Sequence, residues 1–386
     1  MKTLLKVAFS EILRMGLFPL RILRIKSNRI LFTGLTGLKH NEYSCNPKYL
    51  CEYILKHYPK QYEIVWAVSE PENYTWLKER GIGLVKHFSL KSFVMLMTAR
   101  VVVSNGSYAP WFPFRKGQYF INTWHGGGAY KKVENDKPDA NWATRKRVRF
   151  CAENISLFVS SCKMASEKLF RESYQYQGEI LEVGMPRNDF LVKKELEEAT
   201  VRVKEYYHIP LEDHVIVYAP TYRYGNKEVI LHADKVLAEL EKDGERWHFL
   251  YRAHRYQDAR TNLKVMGSRI VDASQYPDMQ ELLAAAEWMI TDYSSLIWDY
   301  SFLGRPCVLY VPDVEEYMEK TGFYIDIRQW PFPMARSQDE LLGYIRGFDM
   351  EKCLASIEKH HKMMGNTETG RACELTAKRI IQVCRK

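Results

Sequence analysis

The chain has 386 residues, 46% of them hydrophobic and 27% charged, the balance of a folded protein with one large or two ordinary domains. This composition excludes a chiefly disordered or fibrous chain, and the lack of any run of about 18 uninterrupted apolar residues excludes a polytopic membrane protein. A formal net charge of +9 suits phosphates, an anionic membrane surface or nucleic acid without choosing among them.

Residues 1–30 hold seven Lys/Arg against one acid, Glu11. Leu4, Leu5, Phe9, Ile12, Leu13, Leu17 and Leu20 fall at helical spacing, and Lys2, Lys6, Ser10 and Arg14 form one polar stripe. The pattern predicts an amphipathic helix within 1–28 that lies on an anionic membrane surface and bends or ends near Pro19. An ordinary helix packed on the domain is the other reading. Glu11 and Arg14 interrupt the apolar run, which argues against a secretory signal. Strands are then expected at 29–35, 63–69, 100–104, 119–123, 155–160 and 180–183. Helices are expected at 47–58, 71–80, 90–99, 139–153 and 165–174, followed by a long charged helix over 189–207. The pattern restarts with strands at 214–219, 247–251, 269–271, 288–291 and 307–311. Helices interleave at 232–242, 279–286 and 296–303, and 338–385 is mostly helical. Such alternation implies βαβ units, parallel sheets and two Rossmann-type α/β domains, 29–208 and 209–386. Unusual residues gather where strands end, at 105–107, 124–128, 184–189, 220–223, 252–255 and 291–295, the places where open parallel sheets bind ligands. The eight cysteines show no CxxC and no zinc spacing, and are expected as buried reduced thiols.

Four constellations can carry chemistry. In WHGGGAYKK, His125 follows a strand and precedes Gly126, Gly127 and Gly128. Bare backbone there suits close approach to phosphate, or simply a tight turn, and His125 suits a general base for a hydroxyl. The glycines do not make a GxGxxG fingerprint, and no Walker motif occurs, so dinucleotide and P-loop readings lack support. Arg252-Ala253-His254-Arg255 follows the strand WHFLY and suits a pyrophosphate, or a solvated basic turn. Thr291-Asp292-Tyr293-Ser294-Ser295, with Trp298-Asp299 beyond, reads as a helix N-terminus offering N–H groups and hydroxyls to a phosphate. Thr221 with Arg223, and Pro186-Arg187-Asn188-Asp189, are weaker signals of the same kind. Asp313 and Asp326 are acids without a DxD motif, so a divalent-ion site is not supported. The basic helix around 142–149 belongs to no recognised nucleic-acid module, and nucleic acid is disfavoured as a partner.

WHGGGAYKK, GMPRNDF, VYAPTYR, YRAH and ITDYSSLIWDYSFLGRPCVLYVPD, in that order, resemble the CDP-glycerol glycerophosphotransferases of Gram-positive wall teichoic acid and capsule synthesis. The resemblance implies a GT-B-like fold: an acceptor domain (29–208) and a CDP-polyol-binding domain (209–386) facing across a cleft, held peripherally on the cytoplasmic face of the cell membrane. It implies transfer of glycerol phosphate or ribitol phosphate from a CDP-polyol to a hydroxyl of a lipid-linked acceptor, with CMP leaving and no resident cofactor. His125 falls on the family's proposed base and His254 on its pyrophosphate-binding histidine. Ser294 and Ser295 fall at the same phosphates. Gly126, Gly127, Thr221, Arg223, Arg252, Arg255, Thr291, Asp292 and Asp299 complete the expected donor set. Gly127-Gly128 stand where family members usually carry Thr-Pro, and Arg252-Ala253-His254-Arg255 keeps only the Arg and His of RPHP. A nucleotide-sugar glycosyltransferase on the same fold and a non-catalytic membrane-bound scaffold are the alternatives.

Overall fold

The computed structural model describes residues 2–34, 42–106, 111–221, 223, 229–253 and 269–385. His254 and Arg255 lie outside the described residues, as do Ser107 and Tyr222. The chain divides into two compact units, each built on one parallel sheet.

The first unit comprises Met1–Gly126, Val133–Asp189 and Asn366–Lys386. Its seven strands are β1 (Lys26–Thr33), β2 (Glu63–Val68), β3 (Gly83–Lys86), β4 (Ala99–Ser104), β5 (Tyr119–Asn122), β6 (Leu157–Ser160) and β7 (Glu179–Glu182). They lie in the order β3-β2-β1-β4-β5-β6-β7, all parallel. β4 reads ARVVVS because a central parallel strand is covered on both faces. Ile30, Phe32, Trp66, Val101, Val103 and Ile121 pack with Leu50 and Ile54 of the helix Cys45–His57 and with Ile380 and Val383 of the helix Ala372–Cys384.

The second unit comprises Gly127–Lys132 and Phe190–Gly365. Its strands are β8 (His214–Tyr218), β9 (Trp247–Tyr251), β10 (Ile270–Asp272), β11 (Trp288–Thr291), β12 (Cys307–Tyr310) and β13 (Met334–Ala335). Their order, β10-β9-β8-β11-β12-β13, repeats the Rossmann order of the first sheet. Ile216, Tyr218, Phe249, Ile290 and Val308 form its core with Val236, Leu237 and Leu341.

These units differ from a single cut at 208/209. The chain passes between them at Asp189/Phe190, and the last helix returns to the first unit. Asp189 fixes that return: its carboxylate accepts from the N–H groups of Ala372 (2.9 Å) and Cys373 (2.8 Å), capping the helix. The long helix expected over 189–207 is two, Asp189–Lys193 and Glu197–Tyr206, because Lys194 takes a left-handed φ of 57°. All eight cysteines are free, and all but Cys45 are buried.

The N-terminal helix, Lys2–Leu17, gives way at Pro19 to the turn Phe18–Ile22. It docks through Leu17, which is buried, and through polar groups. Glu11 pairs with Arg14 at 3.0 Å and with Lys146 of the helix Trp142–Asn154 at 2.9 Å, and the Arg14 guanidinium lies 4.1 Å from the Phe150 ring. Phe9, Ile12, Met15, Phe18 and Ile22 are exposed, Ile22 by 91%. An ordinary surface helix would bury these with the rest of its apolar stripe. Among the described residues no helix is long and apolar enough to cross a membrane.

Candidate functional site

Each unit carries its unusual residues at the carboxyl ends of its own strands. In the first unit β4 runs into Asn105 and β5 into Thr123, Trp124 and His125. His125 is exposed, while Asn105 and Trp124 are buried. The His125 Nδ1 lies 3.1 Å from the Asn105 carbonyl oxygen. A carbonyl only accepts, so Nδ1 carries a proton; in the neutral ring Nε2 then carries the lone pair, the tautomer a base needs. Trp124 donates its N–H to Asn122 Oδ1 at 2.8 Å, and its ring meets Phe170 and Tyr174 edge-on.

Gly127–Lys132, though directly after His125-Gly126, belongs to the second unit. Gly127 is needed for packing: a Cβ there would sit 2.0 Å from Trp298 Cδ1. Tyr130 fastens the segment by donating to His360 Nε2 at 2.8 Å. The His360 Nδ1–H donates to the Gln329 carbonyl at 3.1 Å, and burial lowers its pKa to about 4, so this imidazole stays neutral. Backbone bonds from Lys132 N to Gly322 O (3.0 Å) and from Tyr324 N to Tyr130 O (2.8 Å) complete the anchor.

The second unit's strand ends converge on a buried charge cluster. Arg223 lies between Asp292, which it meets at 2.6 Å, and Asp313, to which it donates twice, at 2.8 and 3.2 Å. All three residues are buried. Burial works against the Arg223 charge, but Asp292 and Asp313 outweigh it and hold its pKa above the ordinary value. Asp292 also accepts from the Thr221 N–H and hydroxyl. Tyr293 donates to Asp313 at 2.9 Å and stacks on Tyr317 at 3.8 Å. Thr291, fully buried, donates to the Ala219 carbonyl at 2.7 Å. Asp299, also fully buried, accepts from Gln280 Nε2 at 2.9 Å. Arg223, Asp292, Thr291 and Asp299 are therefore engaged with protein partners.

Ser294 and Ser295 are partly exposed, and Ser294 Oγ accepts from Leu296 N at 3.3 Å. The helix expected over 296–303 is the shorter Leu296–Ser301, whose dipole is correspondingly small. Arg252 is held by the carbonyls of Ala273 (2.8 Å) and Tyr276. Among the described residues no group of three or more His, Cys, Asp or Glu is placed to hold a metal ion.

Two Rossmann-order parallel sheets, each with its polar residues at the carboxyl strand ends, make this a GT-B-like α/β protein. The chain belongs to the CDP-glycerol:poly(glycerophosphate) glycerophosphotransferase family, whose profile matches residues 17–381. It is 30% identical over 334 residues to the teichoic acid poly(glycerol phosphate) polymerase of Bacillus subtilis strain 168, covering 83% of this chain and 44% of that protein. It thus spans less than half the length of that relative. It is 27% identical over 345 residues to the teichoic acid glycerol-phosphate transferase of Staphylococcus aureus strain NCTC 8325, covering 83% and 84% of the two. A solved variant of the wall teichoic acid polymerase TagF is similar with a TM-score of 0.81 at 25% identity, over 94% of this chain and 90% of that one.

Proposed function

We propose that the protein transfers glycerol phosphate, or ribitol phosphate, from a CDP-polyol to a hydroxyl of a lipid-linked poly(glycerophosphate)-type acceptor. The observation that carries this reading is His125: an exposed imidazole whose Nδ1–H is held by Asn105, in a chain of this family. The acceptor hydroxyl gives its proton to His125 Nε2 as its oxygen bonds to the β-phosphorus of the donor. The bond from that phosphorus to the bridging oxygen breaks, and CMP leaves with the electron pair. Arg252, Ser294 and Ser295 are suited to hold the pyrophosphate, with Thr221 tied to Asp292 and the Gly126 backbone beside the base; His254 and Arg255 take the roles that the family resemblance gives them. Such catalysis rests on positioning and on donors aimed at developing charge.

The test is CMP release by purified protein given CDP-glycerol, CDP-ribitol or UDP-sugars with a lipid-linked acceptor, the product being weighed by mass spectrometry. A CDP-polyol is expected to add one or more polyol phosphates to the acceptor. Turnover of UDP-sugars alone would reject the reading in favour of a glycosyltransferase, and no turnover of any donor would favour a scaffold.

The outward apolar face of the N-terminal helix supports peripheral attachment to the cytoplasmic face of the membrane. Phe9, Ile12 and Met15 would enter the headgroup boundary, and nearby Lys and Arg would meet anionic lipids. The wild-type protein is expected to sediment with phosphatidylglycerol vesicles, and the double substitution Phe9→Asp, Ile12→Asp to remain in the supernatant. Equal sedimentation of both would place the attachment elsewhere.

A further inference from the structure

The turn that carries His125 is strained. Trp124 adopts a φ of 54°, a left-handed conformation that a bulky side chain rarely takes. Such a residue persists only where its surroundings over-determine it. Two side chains from distant parts of the first unit do so. Asn46, at the start of the helix Cys45–His57, donates through Nδ2 to the Thr123 carbonyl at 3.1 Å and to the Trp124 carbonyl at 2.9 Å. Arg187, from the Pro186–Asn188 turn, donates to the carbonyl of His125 itself at 2.7 Å. The two are joined, since Arg187 N donates to Asn46 Oδ1 at 3.1 Å. Arg187 also reaches the Cys45 thiol at 3.3 Å. Three successive carbonyls are therefore fixed, by residues that are 0% and 6% exposed.

We propose that Asn46 and Arg187 are positioning residues for the transfer reaction: they lock the strained Thr123–His125 backbone so that Nδ1 stays on the Asn105 carbonyl and Nε2 stays the basic nitrogen. The inference rests on His125 being the base. Neither residue touches the reacting atoms; both act through the imidazole. If the clamp loosens, the Trp124 peptide relaxes, the ring swings off Asn105 and the tautomer is no longer fixed. A misplacement of about 1 Å at a reacting group can cost on the order of 100-fold in rate.

Asn46→Asp is the sharp test. The carboxylate still accepts from Arg187 N, but it has no donor for Thr123 O or Trp124 O. With CDP-glycerol and a lipid-linked acceptor, kcat is expected to fall about 10–100-fold with KM for CDP-glycerol within about twofold of wild type. In ¹⁵N NMR of histidine-labelled protein, the His125 signal is expected to change from one Nδ1–H tautomer to a mixture. Arg187→Lys keeps the cation and loses the fork, so a several-fold loss of kcat of the same kind is expected; this variant also serves should Asn46→Asp fail to fold. An unchanged kcat, a kcat loss matched by an equal rise in KM, or an unchanged His125 tautomer in folded variants would overturn the proposal. The NMR result stands apart from turnover: if His125→Ala proves as active as wild type, the base reading fails whatever the tautomer shows.

Discussion

His125→Ala is expected to lower CMP release by about 10²–10⁴-fold, the usual cost of losing an aligned base, while the CDP-polyol still binds. The expectation follows from where the groups lie. In the neutral ring the Asn105 carbonyl leaves Nε2 as the basic nitrogen, and alanine removes that acceptor and nothing from the second unit. Arg252, Ser294 and Ser295, the proposed donor-binding groups, all belong to that unit. Calorimetric titration with CDP-glycerol should therefore give nearly the wild-type Kd in a variant whose kcat has collapsed. Wild-type turnover would remove His125 from the chemistry, and lost donor affinity would make it a binding residue.

Arg223→Met is the second large effect, on stability first and on donor binding through it. The guanidinium is buried between two buried carboxylates and lies 4.8 Å from the Tyr293 ring. Without it, Asp292 and Asp313 face one another's surroundings uncompensated. Removing one partner of a buried ion pair typically costs about 3–5 kcal/mol. For a unit of this size each kcal/mol is worth about 2–4 °C, so Tm should fall by roughly 6–20 °C. Asp292 holds the Thr221 turn and stands two residues before Ser294, so KM for the donor should rise as well. Arg223→Lys should recover only part of the loss, because an ammonium cannot reproduce the two-pronged bond to Asp313. A wild-type melting curve for Arg223→Met would show that the cluster carries no net stability.

Much of the fold was legible because central parallel strands are covered on both faces. β4, β9 and β11 read as short apolar runs ending in polar residues, and their bounds fall within a residue of expectation. The edge strands β3 and β13 escaped: the first opens on a glycine, a poor strand former, and the second is two residues long. The return of the last helix to the first unit was hidden too. Periodicity tells which face of Ala372–Cys384 is buried, not which sheet buries it. At the site, His125, Ser294 and Ser295 stood out as polar residues at strand ends, and they are accessible. Arg223 and Asp292 stood out in the same way, yet they satisfy each other, a pairing across 69 positions that no local pattern reveals. Asn46 gave no signal, since its partner Arg187 lies 141 positions away. Gly127 read as room for a phosphate, but the Trp298 indole supplies a second reason for it.

The return of the terminal helix also governs how the protein is made. Ala372, Ala377, Ile380 and Val383 belong to the hydrophobic core of the first unit, and Asp189 caps a helix whose sequence begins 183 positions later. On the ribosome, the strands of the first sheet emerge early, with one flank uncovered. They wait for the whole intervening unit to be translated before that flank closes. The half that starts first thus finishes last, and a stop codon ahead of Ala372 would leave that flank without its cladding.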